Sequence, residues 1–244
     1  MSDLLAEALR AHGGTERWER VEEIVFRART GGFALVSKGR GRDVREFTAR
    51  ISARTPRTAV EDWPRPGRRG VFEPGRVWIE DGDGEVLAER RDPRAAFGGR
   101  RNLWWDRLDL LHFAGYALWG YMTQPFLFAR PGFEVREIEP WDERGEPRRR
   151  LHVTFPPDVP AHSREQVFHL DQAGRIRRND YTAEVFGSWA KGAHYSDQHR
   201  EFGGLLFPTR RRVYPRARSG RPRRLPLLVR IDLDSVEPVS ARAR

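Results

Sequence analysis

The sequence contains no cysteine. Disulfide bonds, thiolate metal sites and cysteine-based catalysis are therefore excluded together. Lysine is nearly absent, since only Lys38 and Lys191 occur among 45 basic residues and the rest are arginines. Hydrophobic residues are also scarce, at 38% of the chain, but they include 8 Trp and 14 Phe. Because large rings bury much apolar surface each, the composition still predicts a globular protein with a substantial core.

The first residues, MSDLLAEALRAHGG, lack the basic segment and apolar run of a secretory signal peptide. The spacing of Leu4, Leu5, Ala8 and Leu9 instead predicts a short amphipathic helix over 2–12 that ends at Gly-Gly. On this basis we expect a cytoplasmic location.

One stretch lacks charge altogether, although 33% of the chain is charged: no Asp, Glu, Lys or Arg occurs from Leu110 to Ala129. Its length approaches the roughly 20 residues that a bilayer core requires. Polar residues and glycines interrupt it, however, and Pro125 breaks a helix before the stretch ends. We therefore expect no transmembrane segment, and interpret the stretch as a buried helix or as the wall of a cavity.

The same stretch predicts the longest helix of the chain, running from Trp104 to Met122 with Asn102 as its N-cap. Asp106 and Asp109 lie near its start, where acidic groups favour the helix dipole. Beyond them the helix is apolar on every side, so it must be covered all round by protein or by a ligand. A packed core and a ligand cavity both remain open at this point.

Apolar and polar residues alternate through most of the remaining chain, as in 43–51, where Phe47, Ala49 and Ile51 share one face. This period is typical of antiparallel strands with one solvated face. Turn sequences such as DGDG at 81–84 separate the strand-like runs. We predict strands at 21–29, 33–38, 43–51, 57–63, 69–73, 76–80, 85–91, 134–140, 150–155, 165–170, 175–186, 194–202, 206–214 and 227–234.

Together these patterns predict a mainly β (α+β) protein. We expect a curved antiparallel sheet or half-barrel that is covered by helices at the N-terminus and at about 93–123. A single domain is expected over 1–244, with a central aromatic helical insertion at 93–129 and C-terminal antiparallel strands over 134–238.

Two segments carry a resemblance to a known family: VFHLDQAGRIRRNDYTAEVF and EFGGLLFPTRRRVYP. They resemble the C-terminal half of bacterial lipoprotein-carrier proteins of the LolA/LolB-like class, and the opening AHGGTERWERVEEI is similar to the start of such proteins. The resemblance implies an incomplete antiparallel barrel with helices as a lid over a hydrophobic cavity. Those carriers are exported or membrane-anchored, whereas this chain shows no signal peptide and no lipobox cysteine. The resemblance therefore favours binding of an apolar ligand over lipoprotein transport.

The leading functional prediction is non-enzymatic binding of a hydrophobic small molecule or acyl chain. No cofactor is expected, and the oligomeric state stays open. The ligand-binding candidates are the aromatic residues in and beside the uncharged stretch: Trp104, Trp105, Phe113, Tyr116, Trp119, Tyr121, Phe126 and Phe128.

A basic run gives the second functional hypothesis. The net charge is +10, and eight arginines fall between 210 and 224. Arg210, Arg211 and Arg212 are candidates for binding an anion such as nucleic acid or an anionic surface. On a strand, however, Arg210 and Arg212 face one way and Arg211 the other. The run also lacks the aromatic, zinc and recognition-helix patterns of known nucleic-acid binders.

An uncharacterised enzyme is the third hypothesis, with Asp180, Tyr181 and His194 as its residues. His194 and His199 are five positions apart, which misses the spacing of a zinc helix and places them on opposite sides of a strand. We therefore predict no metal site and no catalytic residue.

Overall fold

Thirteen strands form one antiparallel sheet in the computed structural model, which describes residues 2–43 and 45–240, without the side chains of 100 and 101. The strands of the N-terminal half are β1 (Val21–Gly31), β2 (Glu46–Ser52), β3 (Thr58–Glu61), β4 (Arg68–Glu73), β5 (Arg76–Asp81) and β6 (Val86–Arg91). Those of the C-terminal half are β7 (Glu134–Glu143), β8 (Glu146–Thr154), β9 (Glu165–Leu170), β10 (Ile176–Thr182), β11 (Lys191–Phe202), β12 (Leu205–Pro215) and β13 (Val229–Ser240).

The first and last strands, β1 and β13, pair with each other at the centre of the sheet. The order is β6-β5-β4-β3-β2-β1-β13-β12-β11-β10-β9-β8-β7, so β6 and β7 lie at opposite edges and do not pair. The curved sheet is therefore unclosed, which confirms the predicted half-barrel.

The helices are α1 (Asp3–Ala11), α2 (Thr15–Trp18), α3 (Phe33–Ser37) and α4 (Arg107–Thr123), with 3-10 turns at Pro93–Ala96, Gly99–Leu103 and Phe126–Ala129. The connection from the β6 edge to the β7 edge must cross the sheet, and α4 lies on that path against β2 to β5. Gly115 permits this close packing, because a Cβ there would lie 2.3 Å from the Cβ of Phe72. Among the described residues, no helix has both the length and the apolar composition to cross a membrane.

The start of α4 differs from the prediction. The helix begins at Arg107 rather than Trp104, and Asn102 lies in the preceding 3-10 turn instead of acting as the N-cap. Asp106 is the N-cap: its carboxylate accepts the backbone N–H of Asp109 at 2.9 Å, and the Asp109 carboxylate accepts the Asp106 N–H at 3.0 Å. This reciprocal pair satisfies two N–H groups that lack helical partners, which explains why the helix starts there.

The strand predicted at 33–38 is wrong, because these residues form α3. Gly32 ends the preceding strand with a φ of +123°, a conformation that favours glycine. The short helix then buries Leu35 and leaves Phe33 and Val36 exposed, at 55% and 63%. Five residues are too few for periodicity to distinguish one helical turn from a strand.

Candidate ligand-binding cleft

An apolar cleft lies between α4 and the centre of the sheet. One face of the helix contributes Leu110, Phe113, Ala114, Ala117, Leu118 and Tyr121, and the remaining walls come from α3 and strands β1, β2, β3 and β13, through Leu35, Thr30, Phe47, Val60, Val229 and Ile231. Among these twelve residues, only Thr30 and Tyr121 carry a polar side-chain group. The walls therefore suit a hydrocarbon and offer few hydrogen bonds.

The cleft is narrow in this structure, with a volume of about 50 Å³. Pockets for drug-sized ligands measure roughly 300–1,000 Å³. Side chains thus fill most of the interior, and an alkyl chain enters only if α4 or α3 separates from the sheet. The short helix α3 lies at the rim, since its Leu35 is a wall residue while Phe33 and Val36 face solvent.

Of the eight aromatic candidates, Phe113 and Tyr121 line the cleft. Trp105 is fully buried, but it packs against Phe113 and Phe186 at ring distances of 5.3 and 4.7 Å. Trp104 faces the opposite way and is 67% exposed, so it lines no interior surface.

The remaining aromatic candidates belong to other parts of the core. The Trp119 indole donates to the backbone carbonyl of Ser52 at 3.0 Å. Phe126 stacks on Trp18 at a ring distance of 4.5 Å, and Phe128 packs on Phe168, Phe133 and Phe155. Tyr116 belongs to a polar network behind the cleft.

That network is centred on His162, which lies in the segment between β8 and β9. Its Nδ1 lies 3.2 Å from the hydroxyl of Tyr116 and its Nε2 lies 2.6 Å from that of Tyr121. The ring stacks on Tyr181 at 4.1 Å. Burial lowers the pKa of His162 to about 3 and raises that of Tyr121 to about 12, so both are neutral at pH 7.

The arginine candidates divide as strand alternation predicts: Arg210 is exposed and Arg211 is buried. The Arg211 guanidinium donates to Ser196 Oγ at 3.2 Å and to the backbone carbonyl of Tyr121 at 2.7 Å. Burial lowers its pKa to about 10, so it stays charged at neutral pH. Arg212 forms an ion pair with Asp232 at 2.7 Å.

Only two of the three proposed enzyme residues, Tyr181 and His194, are brought together. Tyr181 and His194 are buried with their rings 6.2 Å apart. Asp180 precedes Tyr181 on β10 and therefore points to the other face, where it accepts from Arg178 at 2.7 Å. His169 lies 3.3 Å from the same carboxyl group. Alternation along the strand thus separates the acid from the other two groups.

His194 and His199, which the sequence places on opposite sides of a strand, contact different residues in the structure. His194 packs against Tyr121 at a ring distance of 4.5 Å, whereas His199 packs against His12 at 6.2 Å. Over residues 2–43 and 45–240, no group of three or more His, Asp or Glu side chains is placed to hold a metal ion.

Part of the arginine run lines a groove on the outer surface. Its volume is about 460 Å³. Its charged lining residues are Arg210, Arg212, Arg223 and Arg224 from the run, Arg144 and Arg148 from the β7–β8 hairpin, and the carboxylates of Glu143, Glu146 and Asp197. The β7–β8 hairpin and β12 do not pair with each other, so tertiary packing brings the two basic segments together.

No known protein family profile matches the chain, and no curated protein matches it. Solved structures do. A LolA superfamily protein of Nitrosomonas europaea is 11% identical, with a TM-score of 0.52 over 98% of this chain and 93% of that one. A DUF1329 family protein of Desulfovibrio piger is 12% identical, with a TM-score of 0.51 over 96% and 91%. A putative outer membrane lipoprotein-sorting protein domain of Vibrio parahaemolyticus is 11% identical, with a TM-score of 0.50 over 91% and 88%.

At these identities the similarity concerns the fold. The chain has a LolA-like fold, which confirms the resemblance predicted from its sequence segments.

Proposed function

We propose that the protein binds a hydrophobic small molecule or acyl chain, without catalysing a reaction, between α4 and the inner face of the sheet. The observation that carries the proposal is the cleft itself: a helix that is apolar on every side faces the sheet across an unfilled space with ten purely apolar wall residues. A sheet that remains open at its edges can let the helix move outward to admit a chain. The LolA-like fold supports the same proposal by analogy of fold.

Entry at α3 fits this proposal. The helix is one turn long and exposes Phe33 and Val36 directly beside a wall residue of the cleft. A segment with few buried contacts opens at low free-energy cost. Displacing Leu35 from the rim connects the cleft to this exposed apolar surface.

A titration with a fluorescent fatty acid, followed by displacement with decanol, tests the proposal. We expect saturable one-to-one binding by the wild type. Leu118→Gln places an amide without a partner in the cleft wall and should weaken binding on the order of tenfold. Leu108→Gln is the matched control, since it lies on the same helix outside the cleft and should keep wild-type affinity. Absence of saturable binding, or equal losses in both variants, would contradict the proposal.

The outer groove favours a second candidate function, binding of a polyanion such as single-stranded nucleic acid. Clustered arginines bind phosphates with an affinity that falls steeply as salt rises. We expect Arg210→Gln and Arg224→Gln to reduce the salt dependence of binding to single-stranded DNA, and the exposed Arg65→Gln to leave it unchanged. Equal effects from all three variants would reduce this candidate to a general attraction of the positive net charge.

A further inference from the structure

One buried cation of this protein has no acidic partner. Arg211 is 5% exposed, and the two groups that accept its hydrogen bonds, Ser196 Oγ and the backbone carbonyl of Tyr121, are both neutral. No carboxylate among the described residues lies within ion-pair distance of it, and burial lowers its pKa to about 10. A buried charge without a counter-charge is strongly unfavourable.

Arg178, which is also deeply buried, has acidic partners, in contrast to Arg211. Arg178 is 2% exposed and forms ion pairs with two carboxylates, Asp180 at 2.7 Å and Glu143. Arg211 instead lies at the C-terminal end of α4, where the helix dipole supplies only about half a negative charge. Part of the charge on Arg211 is therefore left uncompensated.

A second buried polar group beside Arg211, His194, makes no hydrogen bond through its side chain. His194 is 1% exposed, and neither of its ring nitrogens has a hydrogen-bond partner in the structure. Arg211 lies directly opposite Ser196 in the β11–β12 ladder, and Ser196 is two residues from His194 on the same face of β11. The cation and the unpartnered imidazole therefore point to the same region of the interior.

This region adjoins the apolar cleft. Arg211 is paired across the β12–β13 ladder with Ile231, which is a wall residue of the cleft. Tyr121 is another wall residue, and its ring lies 5.2 Å from the Arg211 guanidinium and 4.5 Å from the His194 ring. A hydrocarbon chain in the cleft would thus end close to both polar groups.

We infer that Arg211, Ser196, His194 and Tyr121 form a head-group site for a carboxylate at the end of an alkyl chain. This inference rests on the proposed function, because the chain of the same molecule would occupy the cleft. The carboxylate would accept from the guanidinium and supply its missing counter-charge, and His194 would gain a hydrogen-bond partner.

The charge of the site selects a monoanion. Burial lowers the pKa of His162 to about 3 and that of His194 well below its usual value, so both rings are neutral at pH 7. Arg211, with a pKa of about 10, carries one positive charge there. A single buried cation balances a carboxylate, whereas it leaves a phosphate dianion with an unpaired negative charge.

Three ligands with the same chain test the inference on the unaltered protein: decanoic acid, decanol and decyl phosphate. We expect decanoic acid to bind at least tenfold more tightly than decanol, with decyl phosphate weaker than the acid. Equal affinities for acid and alcohol would overturn the head-group site and leave the proposed function standing. Tighter binding of decyl phosphate would overturn the choice of a carboxylate, and binding of none of the three would overturn the proposed function and this inference with it.

Two variants then separate a ligand role from a structural one. Arg211→Met should abolish the preference for acid over alcohol, keep the affinity for decanol, and leave the unliganded protein at least as stable as the wild type. Arg178→Met is the matched control, because it removes the ion pairs of buried Asp180 and partly buried Glu143 and should lower the melting temperature without changing the acid-to-alcohol ratio. If Arg211→Met lowers stability and the preference persists, Arg211 only ties β12 to α4. Should that variant fail to fold, Arg211→Lys keeps the charge and should retain the preference.

Discussion

Filling the cleft from the helix side should stabilise the protein and weaken ligand binding. Ala117 lies on the α4 face that lines the cleft and is 6% exposed. Ala117→Val adds two methyl carbons towards a void of about 50 Å³ without introducing a polar group. If side chains already filled the space beside Ala117, the same substitution would destabilise the protein and leave ligand binding unchanged.

The expected magnitude follows from the volume of the void. Cavities cost about 24 cal/mol per Å³, so filling about 50 Å³ relieves about 1.2 kcal/mol. Valine in a helix interior costs about 0.6 kcal/mol relative to alanine. The net gain in unfolding free energy is then about 0.6 kcal/mol. A ligand chain competing for the filled space should lose about 1–3 kcal/mol, or roughly 5- to 150-fold in affinity.

Urea unfolding and the fatty-acid titration measure the two effects on the same preparations. Ala6→Val on α1 is the control, since it carries the helix-propensity cost at a partly exposed position that faces an open surface depression and not the core, and it should lose about 0.6 kcal/mol. A loss of stability in Ala117→Val that exceeds the loss in the control, together with unchanged ligand affinity, would show that the space beside Ala117 is neither empty nor used.

Three further predictions concern α4 and its surroundings. Asp106→Ala removes the N-cap and should lower the unfolding free energy by about 1–2 kcal/mol in urea, whereas Asp106→Asn should keep most of it. Burial lowers the pKa of His112 to about 3, so below pH 6.5 the unfolded chain binds a proton that the folded protein does not. The contribution of neutral His112 to the unfolding free energy is therefore complete above pH 6.5 and falls by about 1.4 kcal/mol per pH unit towards pH 3. His112→Phe should remove this share of the pH dependence of the unfolding free energy. An unchanged pH dependence would contradict the burial of a neutral His112. Trp105→Ala should cost about 3–5 kcal/mol while Trp104→Ala should change stability by less than about 1 kcal/mol, and equal losses would refute the placement of these two rings.

The fold could be predicted from local patterns to a large extent. Residues 47, 49 and 51 alternate inward as expected, and most strands lie where period-2 patterns placed them. The order of the strands is a different matter. The pairing of β1 with β13 joins residues 199 to 219 positions apart, and no local pattern encodes which distant strands become neighbours.

The cleft could be predicted only in part. Phe113 and Tyr121 were identified because they are aromatic, but the small wall residues Ala114 and Ala117 were not. The spacing of the wall positions on α4, at intervals of three and four, could have identified them. Trp104 was placed wrongly because an uncharged stretch does not reveal where its helix begins, and the start at Arg107 leaves Trp104 outside the helix.

The sequence contains less information about the buried polar residues Arg211 and His162 than about the cleft. Strand alternation separates Arg211 from Arg210, but it cannot say which of the two faces lies inside. His162 belongs to a connecting segment without periodicity, so its place between Tyr116 and Tyr121 depends entirely on tertiary packing.

Native mass spectrometry of the purified protein, followed by extraction with organic solvent, tests whether the half-barrel holds an apolar ligand. We expect a one-to-one complex, either with a co-purifying apolar molecule or after addition of a fatty acid, and an extracted compound that carries an alkyl chain. A mass equal to that of the polypeptide alone, with no uptake of added fatty acid, would contradict this expectation and would make α4 a helix that only fills the half-barrel.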